Sequence, residues 1–198
     1  MKTYTVKKVN KNSINWAWKT ANVAELNCEP WKEFPCPYKT TVQLLYTEES
    51  VYVHFSTTET KLRARNNRRD SLVYEDSCME FFLSPDENDS RYFNFEINPI
   101  GTLLLYVCNG LGNYTNVDID EKILNIKTII TNNGWELFYE IPFSFITQYF
   151  KQISPCMRGN FYKCGEQTEI NHCACWNKID LEEPMFHCPQ FFGKIVFE

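Results

Sequence analysis

The sequence predicts an all-β fold: a two-sheet antiparallel β-sandwich with jelly-roll or immunoglobulin-like wiring and one or two short helices. Three observations carry this reading. Runs in which apolar and polar residues alternate with a period of two recur along the chain, as expected of strands that bury one face. Clusters of Asn, Asp, Gly and Pro separate these runs at short intervals. Helical periodicity is scarce, which argues against the βαβ units of a parallel-sheet protein. A length of 198 residues with 43% hydrophobic and 16% aromatic content suits one larger all-β domain and excludes intrinsic disorder. With no internal repeat, low-complexity tract or linker, the expected domain is residues 1–198.

Taken in order, Trp16 to Leu26 is compatible with a short helix. Strands are then expected at Thr41 to Tyr46, Val51 to Ser56, Cys78 to Leu83, Arg91 to Asn98, Thr102 to Val107, Ile123 to Ile130, Trp135 to Ile141, Gly159 to Cys164 and Gly193 to Phe197. Pro142 is placed to open a second helix running through Phe150. The basic stretch Lys61 to Arg69 reads as a solvated loop.

Alternation also assigns faces. In Cys78 to Leu83 the set Met79, Phe81 and Leu83 is apolar, so Glu80 faces away from the core. In Tyr92 to Asn98 the core set is Phe93, Phe95 and Ile97, leaving Tyr92, Asn94, Glu96 and Asn98 on the other face. The Ser84 to Arg91 gap, with Pro85, Asp86, Asn88 and Asp89, suits a hairpin that makes these strands antiparallel neighbours. Carboxylates and amides in rows exchange hydrogen bonds with hydroxyls, and an aromatic ring matches the C–H face of a pyranose. Tyr74, just ahead of this face, and Trp176 supply such rings. The pattern describes a sugar-binding surface, against the plainer reading of a polar outer sheet face.

Composition excludes several other classes. A net charge of −5 with a pI near 5.3 argues against a polyanion partner such as nucleic acid. No G-x-G-x-x-G or G-x-x-x-x-G-K pattern is present, and no apolar stretch approaches the roughly 20 residues of a membrane-spanning helix. The N-terminus lacks the apolar core of a secretory signal. A cytoplasmic protein is therefore expected, or an extracellular one if a signal or parent chain has been removed. Nine cysteines, an odd count without regular spacing, read as mostly reduced thiols.

The run Val73-Tyr74-Glu75-Asp76-Ser77-Cys78-Met79-Glu80-Phe81-Phe82-Leu83, followed by Tyr92-Phe93-Asn94-Phe95-Glu96-Ile97-Asn98-Pro99, resembles the signature of family 9 carbohydrate-binding modules and their relatives. Leu44 to Phe55, Asn160 to Gly165, Trp176-Asn177 and Phe191 to Phe197 extend the resemblance, toward a stand-alone family 9-like branch, over roughly residues 13 to 198. It implies a β-sandwich, related to DOMON-type sandwiches, that binds glucans, xylans or short sugars without hydrolysing them. It also implies roles for residues. Tyr74 takes the place of an aromatic, Trp in sugar-binding members, that sandwiches the sugar with a second aromatic near the C-terminus. Glu80 falls on a ligand carboxylate and Asn98 on a ligand amide, while Glu96 stands where a basic residue can. For the second aromatic Trp176 is preferred to Phe186, because its indole N–H adds a donor.

Other chemistries fit less well. Glu80 and Glu96 could serve as the paired carboxylates of a glycoside hydrolase, but no carboxylate pairing on one strand supports it. Cys164, His172, Cys173, Cys175, His187 and Cys188 invite a zinc reading, yet Cys173-Ala174-Cys175 lacks knuckle spacing and nothing completes a tetrahedral set. Haem held through Met79, as DOMON-type sandwiches would suggest, conflicts with the core-facing position of that residue. No cofactor is expected to be required. Structural calcium could be held by Asp86, Glu87, Asn88 and Asp89, or by Asp118, Asp120 and Glu121, although a solvated turn explains either cluster.

Overall fold

The structure, a computed structural model, describes residues 1–110 and 112–198. Its strands are β1 (Thr3–Lys8), β2 (Ala24–Glu25), β3 (Thr40–Tyr46), β4 (Ser50–Thr57), β5 (Cys78–Ser84), β6 (Tyr92–Ile97), β7 (Leu103–Cys108), β8 (Tyr114–Asn116), β9 (Lys127–Thr131), β10 (Gly134–Pro142), β11 (Cys156–Gly165), β12 (His172–Cys175) and β13 (Gly193–Phe197). Two short helices, α1 (Ile14–Ala17) and α2 (Phe143–Tyr149), complete the regular structure together with several 3-10 turns. No helix among the described residues is long and apolar enough to cross a membrane.

The strands hydrogen-bond in the order β8-β7-β6-β5-β11-β13-β1-β3-β4-β10-β9, a curled sheet whose two halves face each other as a sandwich; β12 adds to β11 and β2 to β3. Phe81, Phe93, Phe95, Ile97 and Phe161 from one half meet Val42, Leu44, Val53, Phe55, Leu137 and Tyr139 from the other in one buried cluster. Aromatic rings bridge the halves, with Phe95 5.9 Å from Tyr139 and Phe55 6.0 Å from Phe161. Met79, Phe81, Leu83, Phe93, Phe95 and Ile97 are all buried there, as alternation requires.

Three features depart from the expected elements. Strand β1 runs parallel to both neighbours: Thr3 to Val6 pair with β13, and Lys7 and Lys8 with β3. One strand thus serves both halves, and the sandwich is not wholly antiparallel. The stretch Trp16 to Leu26 is not one helix. α1 gives way to a 3-10 turn (Trp18–Thr20), and the chain then extends so that Ala24 pairs with Val42. Ala24 and Leu26 both bury, and this period of two prevails over the helical one. Finally, Glu121–Leu124 is a 3-10 turn rather than strand. Asp120 caps it, and Asn125 ends it at φ 47°, a left-handed conformation that Asn tolerates, so β9 starts only at Lys127.

Candidate functional site

Cross-strand register builds the floor of the site. Glu80 of β5 lies directly opposite Glu96 of β6, on the face away from the core, and Tyr162 of β11 lies opposite Glu80 on its other side. This face is not open to solvent. Two long loops fold over it: Trp31 Nε1 donates to the Leu181 carbonyl at 3.0 Å and ties them together, and Cys173 N of β12 donates to the Phe34 carbonyl at 3.0 Å and ties the first of them to the sheet. They enclose an open cavity of about 1140 Å³, floored by Glu80, Phe82, Asn94, Glu96 and Cys164.

Aromatic rings wall the cavity. Tyr74 projects from the 3-10 turn Val73–Glu75, Tyr106 stacks on Tyr114 at 5.9 Å, and Phe186 stacks on Tyr162 at 4.2 Å with an interplanar angle of 10°. Among the described residues lining it there is no Lys or Arg, whereas Glu80, Glu96, Glu166 and Glu183 all border it.

The floor carboxyls are buried, with Glu80 2% and Glu96 4% exposed. Burial, with the neighbouring Cys164 and Glu96 adding to it, holds the Glu80 carboxyl well above the usual carboxylate range. Burial likewise pushes Glu96 up to about 8, against the opposing effect of the hydrogen bond from Asn94. Asn94 is locked by its two ends: its Nδ2 donates to Glu96 Oε1 at 2.8 Å and its Oδ1 accepts from Tyr106 N at 2.7 Å. Glu96 Oε2 is buried and has no hydrogen-bond partner. The Cys164 thiol donates to Glu80 Oε1 at 2.8 Å.

Of the residues singled out in the sequence, Tyr74, Glu80 and Glu96 converge on the cavity, and Asn98 and Trp176 do not. Asn98 is fully buried and its amide is spent within the fold. Its Nδ2 donates to Asn66 O and Asp76 Oδ2, and its Oδ1 accepts from Ile100 N and Thr102 N. It sits one step past the last paired residue of β6, where the chain turns, so alternation no longer places it beside Glu96. Its work is to fix Asp76, which also accepts from Arg65 N and Asn66 N and pairs with Arg63, and so to anchor the turn that carries Tyr74. Trp176 points the other way, into the core. It packs 5.4 Å from Phe161 and 6.5 Å from Tyr4, over Gly193, where even a Cβ would collide with the indole. The expectation that Trp176 offers its ring to a sugar is therefore overturned, and the aromatic that lines the cavity from the C-terminal part of the chain is Phe186.

Residues 12–197 match the model of the family described as Carbohydrate-binding family 9. The chain belongs to that family. A candidate carbohydrate-binding protein from Bacteroides uniformis ATCC 8492 is similar to it with a TM-score of 0.84 and 30% identity, over 100% of this chain and 99% of that one. A family 9 module from Caldicellulosiruptor kristjanssonii in complex with cellotriose is similar at TM-score 0.70 and 13% identity, over 100% of this chain and 94% of that one. The form in complex with glucose gives 0.68 and 13%, over 100% and 96%. At that identity the likeness concerns the sandwich. No curated protein matches the chain.

In this family 9 chain the histidines near the cavity are occupied by the fold. His172 Nε2 lies 2.8 Å from Lys163 Nζ and its Nδ1 2.6 Å from the Ile170 carbonyl, while His187 Nδ1 lies 2.9 Å from the Tyr92 hydroxyl. Burial lowers both imidazoles to about 4. In the acidic turns, Asp86 Oδ1 accepts from Asn88 N and Gln152 Nε2, Asp89 is paired with Arg91, and Asp120 accepts from Lys122 N. Alternation places Asn94 on the correct face without giving it a role; its spacing of two from Glu96 is the available signal. For Tyr106 the signal is alternation in β7, whose core set Leu103, Leu105 and Val107 leaves it on the face of its partner Asn94; for Trp31 the sequence holds no such signal, because loop packing brings it to the cavity.

Proposed function

We propose that this family 9 protein is a non-catalytic carbohydrate-binding module, taking a mono- or oligosaccharide into the cavity above β5 and β6. The observation that carries this reading is Glu96 Oε2, a buried polar atom without a partner on the floor of an aromatic-walled cavity. Buried polar groups are almost always hydrogen-bonded, and one left unmatched on a cavity floor is available to a ligand group. With Glu96 titrating near 8, that oxygen needs a donor when charged and an acceptor when protonated. A sugar hydroxyl offers both. Tyr74 and Phe186 provide flat apolar surfaces for the C–H faces of a pyranose, and Asn94 and Glu80 provide further polar contacts. The complexes of the Caldicellulosiruptor module with cellotriose and glucose support a glucan or related neutral glycan as the ligand class.

The cavity's charge narrows the class further. With no Lys or Arg among the described residues lining it, the cavity disfavours uronic acids and sulfated or phosphorylated sugars, since their charge would be partly desolvated with no cation to pair with. Calorimetric titration with glucose, cello-oligosaccharides and xylo-oligosaccharides, beside an oligogalacturonate of equal length, tests both points. At least one neutral sugar is expected to bind, and the acidic oligomer at least tenfold more weakly. Glu96→Gln and Tyr74→Ala should each weaken neutral-sugar binding by about 1–3 kcal/mol, roughly 5- to 150-fold, with the fold intact. No binding by any neutral sugar overturns the proposal. Release of reducing ends by the wild type, lost in Glu80→Gln, would replace it with the hydrolase reading.

A further inference from the structure

We propose that Cys78, Glu80 and Cys164 form a binding site for one thiophilic divalent cation of the zinc type, at the back of the cavity floor. Cys78 and Glu80 stand two residues apart on β5 and therefore share a face, and Cys164 of β11 is the direct cross-strand partner of Cys78. Register thus fixes a triangle of two sulfurs and one carboxylate, and one donor atom from each lies within 4.8 Å of the other two. Zinc bonds of about 2.3 Å to sulfur and 2.0–2.2 Å to oxygen ask for ligand atoms roughly 3.3–3.8 Å apart, so rotamer adjustment alone closes the set. All three residues are nine-tenths or more buried, and both thiols are free.

The donor chemistry selects the ion. Two thiolates with one carboxylate suit a borderline-soft cation far better than calcium or magnesium, whose sites are built from oxygen. Glu80 and Cys164 line the cavity and Cys78 lies behind them, so the ion enters from the cavity and keeps one open side toward it. Binding replaces the Cys164 thiol proton, now donated to Glu80, and the Cys78 thiol proton; both leave to solvent as the two Zn–S bonds form, and the proton of a protonated Glu80 leaves with them as its carboxylate takes the third position. This set is distinct from the Cys and His residues of the C-terminal quarter, apart from Cys164. Because Glu80 belongs to both sites, an occupied cation site should lower sugar affinity; this coupling alone rests on the proposed sugar function.

The test uses reduced, chelator-treated full-length protein without sugar. Cobalt(II) titration should reach one ion per chain with a thiolate-to-cobalt charge-transfer band, and one equivalent of zinc should bleach it. Cys164→Ser and Cys78→Ser should each weaken cobalt binding at least tenfold, whereas Cys175→Ser, on β12 and outside the triangle, should leave it unchanged. The wild-type band intensity counts thiolates without any variant, so two thiolates are expected even if Cys78→Ser fails to fold. The site is overturned by a wild type that shows no such band, by a band corresponding to one thiolate, or by cobalt binding that survives Cys164→Ser. Sugar titration of the chelated protein reads the carbohydrate function separately, so either can fail alone.

Discussion

His187 and Glu96 border the same cavity, yet burial moves their proton affinities in opposite directions, because it penalises whichever form carries charge. For His187 the charged form is the protonated one, and its pKa falls to about 4 beside the Tyr92 hydroxyl. An unfolded imidazole titrates near 6.5, so the unfolded chain takes up the proton first. The stability tied to His187 is therefore present above about pH 6.5 and is lost as pH falls toward 4. Glu96 has the opposite sign: raised to about 8, it contributes stability below about 4.5 that is lost as pH rises through 8. The two overlap in a wild-type profile, and His187→Gln separates them. In urea unfolding, the stability difference between wild type and this variant should shift by about 1–3 kcal/mol against the wild type between pH 6.5 and 4. A difference that stays constant with pH would show that His187 protonates freely in the fold.

Strand β11 shows what a single element imposes on its side chains. Phe161 and Lys163 point to one face and Tyr162 and Cys164 to the other, so the strand supplies the cavity floor only by committing a lysine to the interior. Lys163 is wholly buried, and its ammonium group is matched donor for acceptor. It lies 2.9 Å from Glu59 Oε2 and 2.8 Å from each of the Cys164 carbonyl and His172 Nε2. Glu59 in turn accepts from Ser77 Oγ at 2.8 Å and Trp135 Nε1 at 3.3 Å. Removing one partner of such a pair leaves an uncompensated buried charge, whereas removing both can be nearly neutral. Lys163→Met is thus expected to destabilise the protein by about 3–5 kcal/mol in denaturant titration, and Glu59→Leu in the same chain to restore much of that loss. Additive losses in the double variant would show that the pair carries no coupling.

At the scale of the molecule, β1 joins the two halves of the sandwich, and Tyr4 is its fastening point. While the backbone of Tyr4 pairs with Ile195 of β13, its hydroxyl accepts from Leu44 N of β3 at 2.8 Å, and its ring rests against Phe161 and Trp176. Tyr4→Phe keeps the ring and strands the Leu44 N–H, so a loss of about 1–3 kcal/mol is expected in thermal or urea unfolding, with the fold retained. A variant as stable as the wild type would show that Leu44 N finds another acceptor. β1 is also where reading the chain fell short, since only short parallel pairings with residues near 45 and near 195 make it a strand. Where a strand has one buried face, by contrast, the period of two already determined the outcome. β5 and β6, their antiparallel pairing, their six core side chains and the outward Glu80 and Glu96 all follow from alternation and a hairpin gap, whereas the register that sets Glu80 opposite Glu96 comes from the structure. Family resemblance added Tyr74 at the cavity wall. Only the tertiary structure decided which residues beyond these strands share the site. Asn98 lies where β6 pairing ends and its amide is consumed by a turn, and Trp176 and Phe186 sit in a loop region whose direction no local periodicity encodes. The physical reason is that alternation holds only while the ladder of hydrogen bonds continues. Past its last rung, side-chain direction is set by contacts with segments outside the ladder, as when Asn66 and Asp76 hold Asn98 and Trp31 closes over Leu181 to form the cavity.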